Sequence, residues 1–437
     1  MLRVAAFLMV WLVAIGAASA LEPEASPGPA LPQQLTMARA LELFEGRGYD
    51  LLIAEASVEQ AAGNRIAAGA IPNPAVSLGA GRNFLCATAQ DCGVISYSVG
   101  LSDSNAISNF LSGKTGLKKG VAQAALEAAK LSRVDALRTL SFQVKSAYIQ
   151  VLLAEAQLAT AHDNRASNEK TQALMKKSYE LGQISDAELA TIDVATLESF
   201  QTEDQATQTL RAAKVALAFL LGFRQAVPDF QVQPDELVYA MPEALKGLTR
   251  EALIDRAMQE RPDLRALREL ERGSESAVTL AHRQRVPDFA VGAVYSDNGK
   301  GDSNISPPNV SVNLSFNLPV FYLQKGEIQA AEAARRIQQA QRLKAEALVV
   351  ADVETAFGQL MATRSLVERM NAGLLARAKT ARDLIELQRQ KGKASLLDLL
   401  NAQRTFNATR VEYAVDLANY WTAVAQLEQA TASELRR

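Results

Sequence analysis

The run Val310-Ser311-Val312-Asn313-Leu314-Ser315-Phe316-Asn317-Leu318 alternates strictly, an apolar side chain followed by Ser or Asn from end to end. Successive side chains of an extended chain point to opposite faces, so this stretch makes a strand with one greasy face and one wet face. Ile95, Tyr97, Val99 and Leu101 alternate with Ser96, Ser98, Gly100 and Ser102 in the same way. Val76-Ser77-Leu78-Gly79 and Phe289 through Tyr295 are weaker versions, richer in Gly and Ala. An ordinary half-buried sheet has the same alternation. About ten residues tilted near 45° also match the hydrocarbon height of a membrane barrel, and an exported chain with wet connecting loops favours that reading. Four strands cannot close on themselves, and lipid does not tolerate open sheet edges. Several copies must therefore pool their strands.

The export signal is at the N-terminus. Arg3 precedes an apolar run from Val4 to Ile15 and then Ala18-Ser19-Ala20, the order of a secretory signal peptide over 1–20. A Pro-rich leader occupies 21–35. The chain has 437 residues, 46 Lys+Arg against 48 Asp+Glu, and a net charge of −2, which gives no electrostatic reason for a nucleic-acid partner. Hydrophobic residues are 48% but aromatics only 6%, a mixture rich in Ala, Leu and Val that suits close-packed long helices. With 2 His and 2 Cys, zinc clusters and multi-disulfide scaffolds are excluded by arithmetic. No catalytic constellation, cofactor motif or metal-ligand set appears, and the reading is of a protein that is not an enzyme.

Segments about 210 residues apart run in parallel. Tyr49-Asp50-Leu51 answers to Pro262-Asp263-Leu264, and Pro72-Asn73-Pro74-Ala75-Val76 to Pro287-Asp288-Phe289-Ala290-Val291. Gly182, Ser185, Glu188 and Leu189 match Gly392, Ser395, Asp398 and Leu399. Two repeats, 36–222 and 248–437, are expected, joined by a linker over 223–247. Each reads as helix, two strands, very long helix, turn, helix. No Pro interrupts a helix from about Gly113 to Leu181 or from about Gly326 to Gln390, each about 100 Å long at 1.5 Å per residue. Apolar residues recur every seven positions at Leu137, Val144, Val151 and Leu158, at Val353, Leu360, Val367 and Leu374, and at Leu399, Phe406, Tyr413, Tyr420 and Leu427. That is coiled-coil spacing. Helices at about 36–70 and 186–221 sum to nearly the length of the long one, so the two are expected to lie end to end alongside it. The fold class is mainly α, long antiparallel coiled-coil helices with a small transmembrane β part of four strands per chain.

Together these features resemble the TolC family of outer-membrane efflux ducts. The carrying motifs are Leu318-Pro319-Val320-Phe321 with Gly326 before an Ala-rich helix, and the helix tip Gly392-x-x-Ser395-Leu-Leu-Asp398-Leu-Leu400 with its first-half counterpart Tyr179-x-x-Gly182-x-x-Ser185-x-x-Glu188-Leu189. Lys114-Thr115-Gly116-Leu117-Lys118 is similar to the heavy-metal branch, often called CzcC-like. The resemblance implies a homotrimer with a twelve-stranded barrel in outer-membrane lipid, its linker in an equatorial region and its helices crossing the periplasm. It implies a periplasmic adaptor (membrane fusion) protein and an inner-membrane efflux pump as partners. The pump supplies the energy, since no phosphate-binding Gly-x-x-x-x-Gly-Lys loop occurs here. The alternatives are a type I protein secretion duct and a periplasmic coiled-coil structural protein that is no channel.

Ser96, Ser98, Ser311, Asn313 and Ser315 are then expected to face the lumen. Asp398 has two open readings, favourable charge at a helix start and one of three carboxylates converging on the axis as a gate. Glu188 has the same two, with the surface reading favoured. The family's second acidic position, one turn after Asp398, is Asn401 here. Gly182 and Gly392 are expected to end helices with a positive backbone angle. Their turns, with Ser185 and Ser395, are candidates for adaptor contact. Oxidising export favours a Cys86–Cys92 disulfide over free thiols. His162 and His282 read as solvated or packed, and Trp421 as packing.

Overall fold

The computed structural model describes residues 31–82, 95–223, 229–233, 236–245, 247, 249–297 and 308–435. The expected signal peptide over 1–20 and both cysteines lie outside the described residues. The chain opens with a two-residue strand β1 (Gln34–Leu35) and two helices, α1 (Met37–Arg47) and α2 (Tyr49–Gly69). Strands β2 (Ala75–Arg82) and β3 (Ile95–Ser102) follow, then a short helix α3 (Ala106–Leu111), the long α4 (Lys114–Glu180) and α5 (Asp186–Leu220). After β4 (Gln231–Val232), the second half has α6 (Arg250–Glu260), α7 (Pro262–Arg283), β5 (Phe289–Asp297), β6 (Asn309–Phe316), α8 (Lys325–Arg369), α9 (Leu375–Gln390) and α10 (Leu396–Thr431).

At 67 residues, α4 is about 100 Å long, and α1, α2 and α5 pack along it. The apolar core sits midway down the helices, where Tyr148, Val151, Val353, Leu360, Tyr420 and Leu427 are buried together. β1 and β4 pair in parallel beside it. The Tyr148 hydroxyl donates to the Leu35 carbonyl at 2.9 Å, so the edge of that small sheet is tied to α4.

Two expected helices are broken. The 36–70 stretch divides at Gly48, whose φ of −56° and ψ of 121° are not helical. Its amide still bonds the Phe44 carbonyl at 2.7 Å, and a Cβ there would lie 2.6 Å from the Phe44 ring. The stretch from 326 to 390 is interrupted by a wide, π-type turn over Met370–Leu374, where Gly373 has φ +128°. Such a turn shifts the helical phase, and so Leu374, expected on the buried stripe, is exposed while Val353, Leu360 and Val367 are buried.

Candidate functional site

The four-stranded sheet has the order β2-β3-β5-β6, antiparallel throughout. Its register aligns the alternation of all four strands. Leu78 faces Val99, Val99 faces Tyr295, and Tyr295 faces Val310, so the apolar residues form one continuous surface. Val76, Leu78, Val310 and Val312 on it are exposed. The opposite face joins Gly79 to Ser98, Ser98 to Ser296 and Ser296 to Asn309. The sequence-predicted Ser96, Ser98, Ser311, Asn313 and Ser315 all lie on this second face, among glycines and further serines. A Cβ at Gly79 would approach Ser98 Oγ to 2.5 Å, so the face is crowded there; Val294, between Gly100 and Ser311, is its one large apolar side chain among the described residues.

Below the sheet is a polar junction that no motif announced. Lys114, the first residue of α4, is buried, and its Nζ donates to Asp288 Oδ1 at 2.6 Å and to the Val286 carbonyl at 2.8 Å. Ser108 Oγ on α3 reaches the same Asp288 oxygen at 3.3 Å and accepts from the Phe289 amide at 3.1 Å. Asp103 accepts from the amides of Val291 and Ile107 at 2.9 and 3.1 Å. These bonds lock the start of β5 to the end of β3 and to the head of α4. Lys114 was legible only as part of a family-like string, not as an anchor.

At the far end of the helices the two halves repeat one turn. Gly182 (φ +67°) and Gly392 (φ +69°) take the left-handed conformation that favours glycine. In each, the glycine amide and the next amide bond back to the helix, Gly182 to Tyr179 and Gln183 to Ser178, Gly392 to Arg389 and Lys393 to Gln388, at 2.8–2.9 Å. This is the Schellman stop. Each following helix starts with a reciprocal cap. Ser185 Oγ accepts from the Glu188 amide at 3.3 Å, and Glu188 Oε2 accepts from the Ser185 amide at 3.2 Å. Ser395 Oγ accepts from the Asp398 amide at 3.1 Å, and Asp398 Oδ2 from the Ser395 amide at 2.9 Å and hydroxyl at 2.7 Å. The Ser395 hydroxyl, and then its amide, hold the Asp398 carboxyl below the usual carboxylate range. Met175, Ile192 and Leu396 form a small apolar cluster that brings both turns to the same end of the molecule. Asp398 and Asn401 line one cleft of about 420 Å³ with Gln388, Lys393 and Thr405; Glu188 lies on the other turn.

Between middle and tip, polar pairs join the apolar seam, where Leu399 and Phe406 stay buried. Gln403 Nε2 donates to Ser167 Oγ at 2.9 Å, Asn407 Nδ2 to Asn164 Oδ1 at 2.7 Å, and Asn168 Nδ2 to the Ala195 carbonyl at 3.2 Å. A heptad of apolar residues carries no signal for these pairs, because their side chains are amides and a hydroxyl. His162 is exposed and 3.1 Å from Glu203, and His282 is 4.0 Å from Glu332. Trp421 is packed, and its indole N–H donates to the Val238 carbonyl at 3.1 Å.

The family model described as outer membrane efflux protein matches residues 41–223 and 253–433. The cobalt-zinc-cadmium resistance protein CzcC of Cupriavidus metallidurans is 24% identical over 93% of this chain and 91% of its own length. The pyoverdine export outer membrane protein OpmQ of Pseudomonas putida is 25% identical over 88% of this chain and 84% of its own. The crystal structure of CusC superposes with a TM-score of 0.74 at 17% identity, covering 91% of this chain and 92% of that one.

Proposed function

The chain belongs to the outer membrane efflux protein family, and from that premise we propose that three copies form a passive duct across the outer membrane and periplasm, fed by an inner-membrane pump through a periplasmic adaptor. The observation that carries this is the sheet itself. It has one continuous apolar face, one face mostly of Ser, Gly and Asn with Val294 and two alanines among them, and two open edges, β2 and β6. Lipid cannot hydrate those edges. Eight strands from two copies would give an interior only wide enough to be filled by side chains, whereas twelve leave a lumen.

In this reading the repeats 36–222 and 248–437 each supply one strand pair and one helical hairpin, joined through 223–247. The wet face lines the pore, and its uncharged hydroxyl and amide groups keep the pore hydrated without selecting a cargo. Relatives named for cobalt-zinc-cadmium resistance and for pyoverdine export support a cargo of metal ions or small molecules. The turns carrying Gly182, Ser185, Gly392 and Ser395 meet the adaptor, and Asp398, with Asn401 and Glu188 nearby, guards the aperture. The test is cross-linking in native outer membranes followed by single-channel recording of the purified protein. A trimer ladder and steady ion conductance are expected; monomers alone, or trimers that pass no current, would overturn the duct.

A further inference from the structure

We infer that the two strand-to-helix passages, 106–111 and 318–323, are buried in the acyl layer of the membrane's periplasmic leaflet, completing an apolar belt that the strands alone leave short. This rests on the barrel proposed above.

Height carries the argument. On the apolar face, the stretch from Val310 to Phe316 and its partner from Tyr295 to Phe289 measure about 20 Å along the strand at about 3.4 Å per residue. At a tilt near 40° that is about 16 Å of height, against an apolar band of about 25 Å on barrels of this kind. The belt is not extended outward among the described residues, because the same face there carries Arg82, opposite Ile95, and Asp297, opposite Tyr97. Lipid-facing charge is tolerated near the interface and not at depth. The missing height lies on the periplasmic side.

There the chain exposes a collar of large apolar side chains. Phe321 is fully exposed at 103% and Phe110 at 77%, with Leu111, Leu318, Val320 and Leu323 also exposed. α3 turns Ser108 inward to Asp288 and leaves Phe110 and Leu111 outside. α3 packs on β5, which is flanked by β3 and β6 and so is not itself an edge strand where neighbouring copies meet. Nor does it suit a wet lumen, since the face assigned there is mostly Ser, Asn and Gly and carries no aromatic side chain among the described residues. The collar ends where polarity returns. The Tyr322 hydroxyl donates to Glu327 Oε2 at 2.7 Å and accepts from the Gly326 amide at 2.8 Å, and Arg285 Nε donates to the Leu323 carbonyl at 3.1 Å. A tyrosine anchored by its polar end beside charged groups suits the headgroup level. The occupant is therefore phospholipid acyl chain, continuous with that covering the strands.

The test uses Phe110→Trp and Phe321→Trp in the full-length protein, with Leu314→Trp as the strand reference and the unsubstituted protein as background. Each is reconstituted in phosphatidylcholine vesicles carrying bromines at graded acyl depths, with aqueous iodide as the opposing quencher. Added fluorescence at 110 and 321 is expected to lose at least half as much intensity to bromine as that at 314, most strongly from shallow bromines, and to resist iodide. Quenching by iodide at 110 and 321, with bromine quenching at 314, overturns the collar and leaves the barrel. Shielding from both quenchers assigns the collar to neighbouring copies and also overturns it. Loss of bromine quenching at 314 removes the barrel reading and the collar with it.

Discussion

Lys114 Nζ lies 2.6 Å from Asp288 Oδ1, joining the first residue of the long helix to the residue just before β5. Lys114 is almost fully buried, whereas the Asp288 side chain is about one-third exposed. Asp288→Ala leaves an ammonium inside with only the Val286 carbonyl, and is expected to cost about 3 kcal/mol. Lys114→Met is expected to cost about half of that, on the order of 1–2 kcal/mol, because water can reach the remaining carboxylate. Urea unfolding in detergent measures both, and the double substitution should cost less than the two single losses added.

The register of the sheet predicts which positions tolerate charge. An Arg at Val99, Val312 or Leu314 is expected to cost about 2–4 kcal/mol where it meets the bilayer interior, whereas Ser98, Ser311 and Asn313 sit on the face assigned to water. The readout is the yield of oligomer in the outer-membrane fraction. Equal yields for the two sets would mean that the faces have been assigned the wrong way round.

How much of this was legible depends on whether a pattern was carried by one residue or by many. The strands were readable because Val310 to Leu318 repeats its alternation without a fault, and the tip turns because Gly182 and Gly392 each precede a Ser-x-x-acid cap. The break at Gly48 and the wide turn at Gly373 were not. Each depends on a single glycine inside an otherwise helical pattern, and attention to proline alone cannot see it. β1 and β4 have two residues each, too few for any period, and owe their pairing to the core beneath them. The Lys114–Asp288 bond spans 174 positions, and no local spacing encodes it.

Burial pushes the Tyr420 phenol up to about 12, while its hydroxyl donates to the Ala240 carbonyl at 3.1 Å. An unfolded tyrosine titrates near pH 10. The raised value therefore contributes stability that is fully present below about pH 10 and is lost as the pH rises towards 12. The contribution is about 2–3 kcal/mol. Tyr420→Phe is expected to be less stable at neutral pH by about 1 kcal/mol for the lost hydrogen bond. It is also expected to flatten the decline of stability between pH 10 and 12, relative to the unsubstituted protein, in parallel denaturation series.

Asp398 is the residue on which the two readings of the tip can be separated. Its carboxylate caps the start of α10 through Oδ2, and the Ser395 bonds keep it ionised. Glu188 makes the same cap on the other turn. In a threefold duct, three Asp398 side chains would stand at equal distances from the axis, where a narrow aperture concentrates cations. Asn401, in the same cleft, adds hydrogen-bonding groups but no charge. Asp398→Asn keeps a carbonyl oxygen able to accept from the Ser395 amide and removes the charge; Asp398→Ala removes both; Glu188→Ala removes a cap elsewhere. If Asp398 guards the aperture, Asn and Ala at 398 should both weaken block by divalent cations by about tenfold, which corresponds to about 1.4 kcal/mol, and both should raise conductance. Glu188→Ala should change neither. If at position 398 Ala has an effect and Asn has none, and Glu188→Ala matches the Ala variant, the cap explains the tip and the aperture is controlled by other residues.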